Sequence, residues 1–393
     1  MRIVIAPDKF KGSLSAPDVA RHLETGLQSA AGHNLEVLRI PVADGGEGTL
    51  DAAVGSGFTR RSAVVSGPTG QPLTAEFAVR GREAVIEMAA ASGLAVLPGG
   101  PDSATAKAAT SLGTGELIRA ALDAGCRHII LGVGGSANTD GGAGILQGLG
   151  ARLLDADGGD LPPGGAALAD LAGIDFSGFD SRLDDARFIL ASDVDNPLLG
   201  PDGAPAIFGP QKGATPADVR KLDGALSNFV QVLASEIGPR ALKAAGAPGA
   251  GAAGGVGYAA IAVLAATRRP GIDVVLEFTR LADRLEGADL VITGEGSLDE
   301  QSLLGKTPVG VARAAAAAGV PVVAVCGRTT LTPQQQRESG FRQVYPLTSL
   351  ESKVEVCIAE AGPLLEELGK QICRELADPT PAAHASTKEP LNV

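Results

Sequence analysis

Five segments of the chain place a carboxylate among small residues directly after a short apolar run. They are Pro7-Asp8-Lys9-Phe10-Lys11-Gly12, Ala43-Asp44-Gly45-Gly46-Glu47-Gly48-Thr49, Gly134-Gly135-Ser136-Ala137-Asn138-Thr139-Asp140-Gly141-Gly142, Ser192-Asp193-Val194-Asp195-Asn196-Pro197 and Gly294-Glu295-Gly296-Ser297-Leu298-Asp299. Carboxylates hold divalent cations or accept a hydroxyl proton. Glycines let backbone N–H groups converge on an anion. Lysines serve as point charges on phosphate, and Lys9, Lys11, Lys212 (in Gln211-Lys212-Gly213) and Lys306 (in Gly305-Lys306-Thr307) are candidates. Together these residue types suit phosphoryl transfer, a reaction driven by positioning and charge stabilisation.

Each segment also has a plainer reading. Asp-Gly and Gly-Gly are ordinary turn signals, so Asp140 or Asp299 fits a turn or a helix cap equally well. Asp44 with Glu47 fits a solvated turn before a helix, and Asp8 with Lys9 and Lys11 a solvated charge cluster. The Asp193/Asp195 pair is harder to explain by folding alone. In an extended Asp-Val-Asp both carboxylates face one side, with no Lys or Arg adjacent in sequence. Like charges so placed call for a cation, which makes Asp193 and Asp195 the candidate metal ligands.

The elements that carry these residues read as alternating strands and helices. Arg2–Ala6 is a short β-branched strand. Ser15 opens a helix whose buried face is Val19, Leu23 and Leu27. Glu36–Val42 is a second strand, and Thr49–Val54 starts a helix. From Ser62 to Val85 short alternating runs between Gly and Pro turns look antiparallel. Gly115–Ala124 reads as a helix, and Arg127–Val133 and Phe188–Ala191 as strands. Ala241–Gly257, almost all Ala, Gly and Pro, is either a flexible linker or a close-packed loop that accepts phosphate or starts a helix. Leu290–Thr293, Val322–Val325 and Gln343–Pro346 return to the parallel style, with a helix from Thr307-Pro308.

These segments predict an α/β protein: a Rossmann-like doubly wound parallel sheet formed by both chain ends, residues 1–62 plus 286–378, with an inserted second α/β domain at 63–285. The polar tail, 379–393, reads as disordered. In such sheets ligands bind at the carboxyl ends of strands, which is where the acidic segments fall.

Composition narrows the function. A length of 393 residues exceeds what one core usually fills, so two domains are expected. A net charge of -12 with 3% aromatics argues against nucleic acid. No long apolar run predicts a membrane span. The four Cys form no CxxC pair and read as reduced thiols in a cytoplasmic protein. The chain opens on a strand rather than a signal peptide. Four scattered His make a zinc site or a Ser-His-Asp triad a poor reading. Gly305-Lys306-Thr307 ends like a phosphate-binding P-loop, but position 300 is Glu, so that pattern fails. A rival is a dinucleotide site: Gly132, Gly134 and Ala137 fit GxGxxA, with Asp155 as the ribose acid, implying an NAD-dependent oxidoreductase of a small hydroxy acid.

The same loops carry a resemblance. Ala6–Ala16, Pro41–Thr49, Gly134–Gly144, Asp193–Leu199 with Phe208–Ala214, Gly251–Gly257 and Gly294–Lys306 are similar to segments of the bacterial-type glycerate kinase family, across nearly the whole chain. Two departures stand out: Asn138-Thr139 is in the order opposite to the usual one, and Ser297 stands where Arg is frequent. The resemblance implies a kinase using ATP and Mg²⁺, acting on D-glycerate in the cytoplasm to give 2-phosphoglycerate rather than 3-phosphoglycerate. Its partners are then small molecules, with room for self-association. On this reading Asp193, Asp44 and Lys11 are the catalytic candidates. The nucleotide-binding candidates are Asp8, Gly45, Gly46, Glu47, Gly134, Gly135, Ser136, Asp140, Lys212, Gly294, Glu295, Asp299 and Lys306.

Overall fold

The computed structural model describes residues 1–31 and 35–377. The expected disordered tail at 379–393 lies outside the described residues. In chain order the strands are β1 (Arg2–Pro7), β2 (Glu36–Arg39), β3 (Thr59–Ser66), β4 (Pro72–Arg80), β5 (Glu83–Glu87), β6 (His128–Gly132), β7 (Arg152–Leu154), β8 (Gly173–Asp175), β9 (Arg187–Ala191), β10 (Thr267–Arg269), β11 (Leu290–Leu298), β12 (Val322–Thr329) and β13 (Phe341–Pro346).

The first sheet has the order β13-β12-β11-β1-β2 and is parallel throughout. β1 pairs with the central strand β11 from the far end of the chain, Ile3 opposite Leu290 and Pro7 opposite Gly294. Helices cover both faces, as a parallel sheet requires. On one face Ala16–Ala31 packs against Ala361–Ala377 over Ile3, Ile5, Ile292 and Val323. The two helices approach so closely that a Cβ on Gly26 would lie 2.0 Å from the Glu366 carbonyl oxygen. On the other face lie Thr49–Gly55, Gly271–Phe278 and Thr307–Ala317.

The second sheet, β10-β9-β6-β5-β4-β3, is parallel through β10, β9, β6 and β5 and antiparallel at β4 and β3. The antiparallel entry read from the sequence is therefore observed. One apolar cluster runs through both layers, joining Val4, Ala6 and Val291 of the first sheet to Ala78, Val85, Ile130 and Ala191 of the second through Val274, Val275 and Phe278. The two sheets share a core rather than meeting at a wet boundary.

Two segments resolve differently from the plainest sequence reading. Ala241–Gly257 is not a linker. It forms helix Arg240–Ala245 and the start of helix Ala252–Ala262, with Ala250, Ala252 and Val256 fully buried. Its bend packs on the 138–141 loop: a Cβ on Gly254, where φ is +67°, would sit 2.0 Å from the Asn138 carbonyl oxygen. Gly294-Glu295-Gly296 is not a loop either. β11 continues through Leu298 and β12 through Thr329, paired Ser297 to Arg328 and Leu298 to Thr329. The two strands project as an arm above the carboxyl end of β1.

Candidate active site

The carboxyl edge of the first sheet opens into a cleft of about 580 Å³. Asp8 leaves β1 here, and its N–H donates to the Gly294 carbonyl at 2.8 Å, which sets it beside Glu295 on β11. The Asp8 carboxylate accepts from Thr307 Oγ1 at 2.7 Å and from the Lys9 N–H at 2.7 Å. Burial, reinforced by the charge of Asp44, still pushes its pKa up to about 7. Burial and the charge of Asp8 likewise push Glu295 up to about 7. Glu295 Oε1 is enclosed and accepts no hydrogen bond. Two acids on adjacent strands, one with an oxygen that lacks a donor, form a site that folding alone does not need.

After β2, the Gly46 N–H donates to Asp44 Oδ1 at 3.2 Å. Gly45 has φ +88°, and a Cβ there would lie 2.8 Å from the Gly271 Cα; a Cβ on Gly134 would lie 2.8 Å from the Gly46 Cα. The glycines thus let the β2 and β6 exit loops interlock, and Gly134 and Gly135 of the second sheet join the cleft lining. Glu47 accepts from Lys9 Nζ through Oε2 at 2.7 Å and through its carbonyl at 2.9 Å, so these two neutralise each other at the rim. Asp193 Oδ1 accepts from the Gly271 N–H at 2.8 Å, and burial together with Asp44 raises its pKa. It stands beside Asp44 without itself lining the cleft.

The projecting arm supplies the opposite wall, with Ser297, Asp299, Gly327 and Arg328. Asp299 Oδ1 caps a turn by accepting from the Gln301 N–H at 2.9 Å. Lys306 Nζ reaches only the amide oxygen of Gln301, at 3.3 Å. Lys11 and Arg328 line the cleft and form no ion pair among the described residues. Arg328 is a cation that the sequence reading passed over. The rule of inspecting each strand exit finds it only when β12 is known to run past Val325.

Other candidates do not reach the cleft. Asp140 is 1% exposed, and its two oxygens accept from Ser111 N–H and Oγ, Thr110 Oγ1, Asn138 Nδ2 and the N–H groups of Gly142 and Gly144. Lys212 is 2% exposed and donates to Ser136 Oγ at 2.8 Å and to the Asn138 carbonyl at 2.6 Å; burial drives its pKa down to about 7. Asp140, Ser136 and Lys212 therefore hold the Gly134–Gly142 loop from inside. Gly294 is small because a Cβ would lie 2.2 Å from the Val325 carbonyl oxygen. Asp195 does not wait for a metal: Arg268 pairs with it at 2.7 Å, and its side chain is 79% exposed. The cation that the Asp-Val-Asp pattern called for is an arginine distant in sequence.

Among the described residues no three His, Cys, Asp or Glu side chains converge as a ready-made metal site. A Mg²⁺ that arrives with a polyphosphate needs only one or two carboxylates. Asp44, with the remaining oxygen of Asp193, fits that demand; Asp195 does not. The dinucleotide reading finds no support. β7, ahead of Asp155, belongs to a separate two-stranded sheet, and Asp155 Oδ1 closes a turn by accepting from the N–H groups of Asp157 and Gly159.

The sequence profile of the glycerate kinase family matches residues 3–377. The chain belongs to the glycerate kinase family. It is 44% identical over 381 residues to a glycerate kinase of Bacillus subtilis (strain 168), covering 96% of this chain and 98% of that one. A glycerate 2-kinase of Escherichia coli (strain K12) is 45% identical over 356 residues, 89% of this chain and 91% of that one. A crystal structure described as that of a glycerate kinase 2 from Salmonella typhimurium LT2 superposes with a TM-score of 0.82 at 42% identity, covering 96% of this chain and 98% of that one. Family membership makes the chain a phosphotransferase, and its mixed α/β architecture is that of the solved relative. Among the described residues, no helix is long and apolar enough to cross a membrane.

Proposed function

We propose that the protein transfers the terminal phosphoryl group of ATP to D-glycerate, giving 2-phosphoglycerate and ADP. The observation that carries this reading is the cleft itself. Asp8 and Asp44 follow β1 and β2 and meet Glu295 of β11, while Lys11, Lys306 and Arg328 stand there without carboxylate partners. The three cations hold and neutralise the anionic groups of both substrates. Asp8, poised near pH 7 at the cleft, accepts the proton of the attacking hydroxyl. Asp44 and Asp193 are the residues that would hold Mg²⁺, which when bound neutralises charge on the transferring group. Gly45, Gly46, Gly134 and Gly135 bring backbone close to the phosphates.

The division into residues 1–62 plus 286–378 and residues 63–285 is part of the same proposal, supported by β1, β2 and β11 to β13 sharing one sheet and β4 to β6, β9 and β10 the other, with β3 straddling the first boundary. So is a cytoplasmic setting, in keeping with four buried, unbridged cysteines. The test is turnover with ATP, Mg²⁺ and D-glycerate, with EDTA abolishing it. Enolase should consume the product directly. A product that enolase ignores until a mutase is added would be 3-phosphoglycerate. No ADP formation, with hydride transfer to NAD instead, would sink the reading.

A further inference from the structure

We propose that the cleft has a fixed polarity, with the nucleobase of the nucleotide seated against the apolar wall of Leu347, Val354 and Ile358. The inference rests on the kinase reading and adds the direction in which the nucleotide lies.

The make-up of the cleft lining sets the argument. Beyond β13 the chain contributes Leu347, Val354, Cys357 and Ile358, all apolar or weakly polar. β12 contributes Arg328, and β11 with the segment after it contributes Glu295 and Lys306. β1 contributes Asp8 and Lys11; β2 contributes Asp44, with Gly134 beyond it. The segment after β13 turns back over β12 and reaches the β1 loop, so the apolar residues lie beside the cations of the cleft.

A nucleobase is a flat, largely apolar ring that gains from apolar walls, and a polyphosphate gains from unpaired cations. The cations Arg328, Lys306 and Lys11 line the cleft next to this wall, and the carboxylates that would manage a cation and a hydroxyl proton follow β1 and β2. The apolar lining gathers at Phe10, Leu347, Val354 and Ile358. Ile358 there is 47% exposed, one of few large hydrophobic side chains left uncovered. Its segment, helix Val354–Ala359, is tied to the β1 loop by Ser13 Oγ donating to the Ile358 carbonyl at 2.6 Å, so the apolar wall is anchored to the same loop that carries Lys11. A nucleobase covering Ile358 leaves the terminal phosphate over β11 and β1. The hydroxy acid is then placed over β2, against Asp44 and the Gly134-Gly135 backbone.

The experiment is photolabelling with 8-azidoadenosine triphosphate in the presence of Mg²⁺, followed by peptide mapping. ATP-protected adducts are expected within residues 347–358. ATP-protected adducts confined to residues 44–49 or 134–141 would reverse the polarity and overturn the inference. The companion variant is Ile358→Asp, at an exposed site where folding is little affected. It should raise KM for ATP about tenfold by losing apolar cover, with KM for glycerate within about twofold, while Ile358→Leu restores the ATP value. Turnover with an unchanged KM for ATP in Ile358→Asp would overturn the inference alone. A wild-type protein that neither turns over ATP nor shows ATP-protected labelling would overturn the kinase reading with it.

Discussion

Two acidic loops of the molecule look alike in sequence and differ in kind. The loop ending at Asp140 follows β6, and every oxygen of that carboxylate is engaged by protein donors in a closed network. The Asp8 and Glu295 pair follows β1 and lies on β11, where Glu295 Oε1 has no donor and both acids are raised to about 7. A buried carboxylate that is fully hydrogen-bonded organises a loop. One left short of donors is held for something that arrives later.

Five variants sharpen or break this contrast. The largest effect is expected from Asp8→Asn, which removes the proton acceptor. Turnover should fall roughly 10²- to 10⁴-fold with little change in melting temperature. Near-normal kcat would move the base to Asp44. Asp140→Ala should do the reverse, leaving buried donors unpaired and destabilising the fold by about 3 kcal/mol in urea titrations. Full stability in that variant would dissolve the contrast. Third comes pH. Glu295 has a folded pKa above its unfolded value, so between about pH 4.5 and 7 the native state holds a proton that the unfolded chain has lost. Stability should therefore fall as pH rises through that window, by up to about 1.4 kcal/mol per pH unit for such a group. Glu295→Gln should flatten the slope and be the more stable protein at pH 8. An unchanged slope would mean that Glu295 is solvated. The smallest effect belongs to the Asp193 and Asp195 pair. Asp193→Asn should raise the Mg²⁺ requirement, and Asp195→Asn should leave kcat and Mg²⁺ dependence unchanged and shift stability by about 0.5 kcal/mol or less. Equal losses from both would restore them as a shared metal site.

Much of the first sheet was legible because strand exits in parallel sheets are where ligands bind, and that rule alone points to Asp8, Asp44 and Glu295. The orientation of the 134–142 loop was not legible. Asp-Gly-Gly reads the same whether its carboxylate meets solvent or Ser111 and Thr110, which precede it by about 30 residues. Asp195 misled for the same reason: its counter-charge, Arg268, is local in space and remote in sequence. The apolar wall at Val354 and Ile358 escaped because its residues look like any amphipathic helix until the fold sets them against the β1 loop, beside a row of charges.

The pairing of β1 with β11 also has a consequence in time. β1 is an interior strand of its sheet, flanked by β2 and the central β11. On the ribosome its β2 side is available early, but its other edge must wait for Leu290–Leu298 to be synthesised. At about 5–20 residues per second the delay is roughly 15–60 s. Through that interval Ile3, Val4 and Ile5 present an open apolar edge. Heterologous expression should therefore gain more from slower initiation and chaperone supply than from any single stabilising substitution, because the exposure is set by chain order and not by the strength of the finished core.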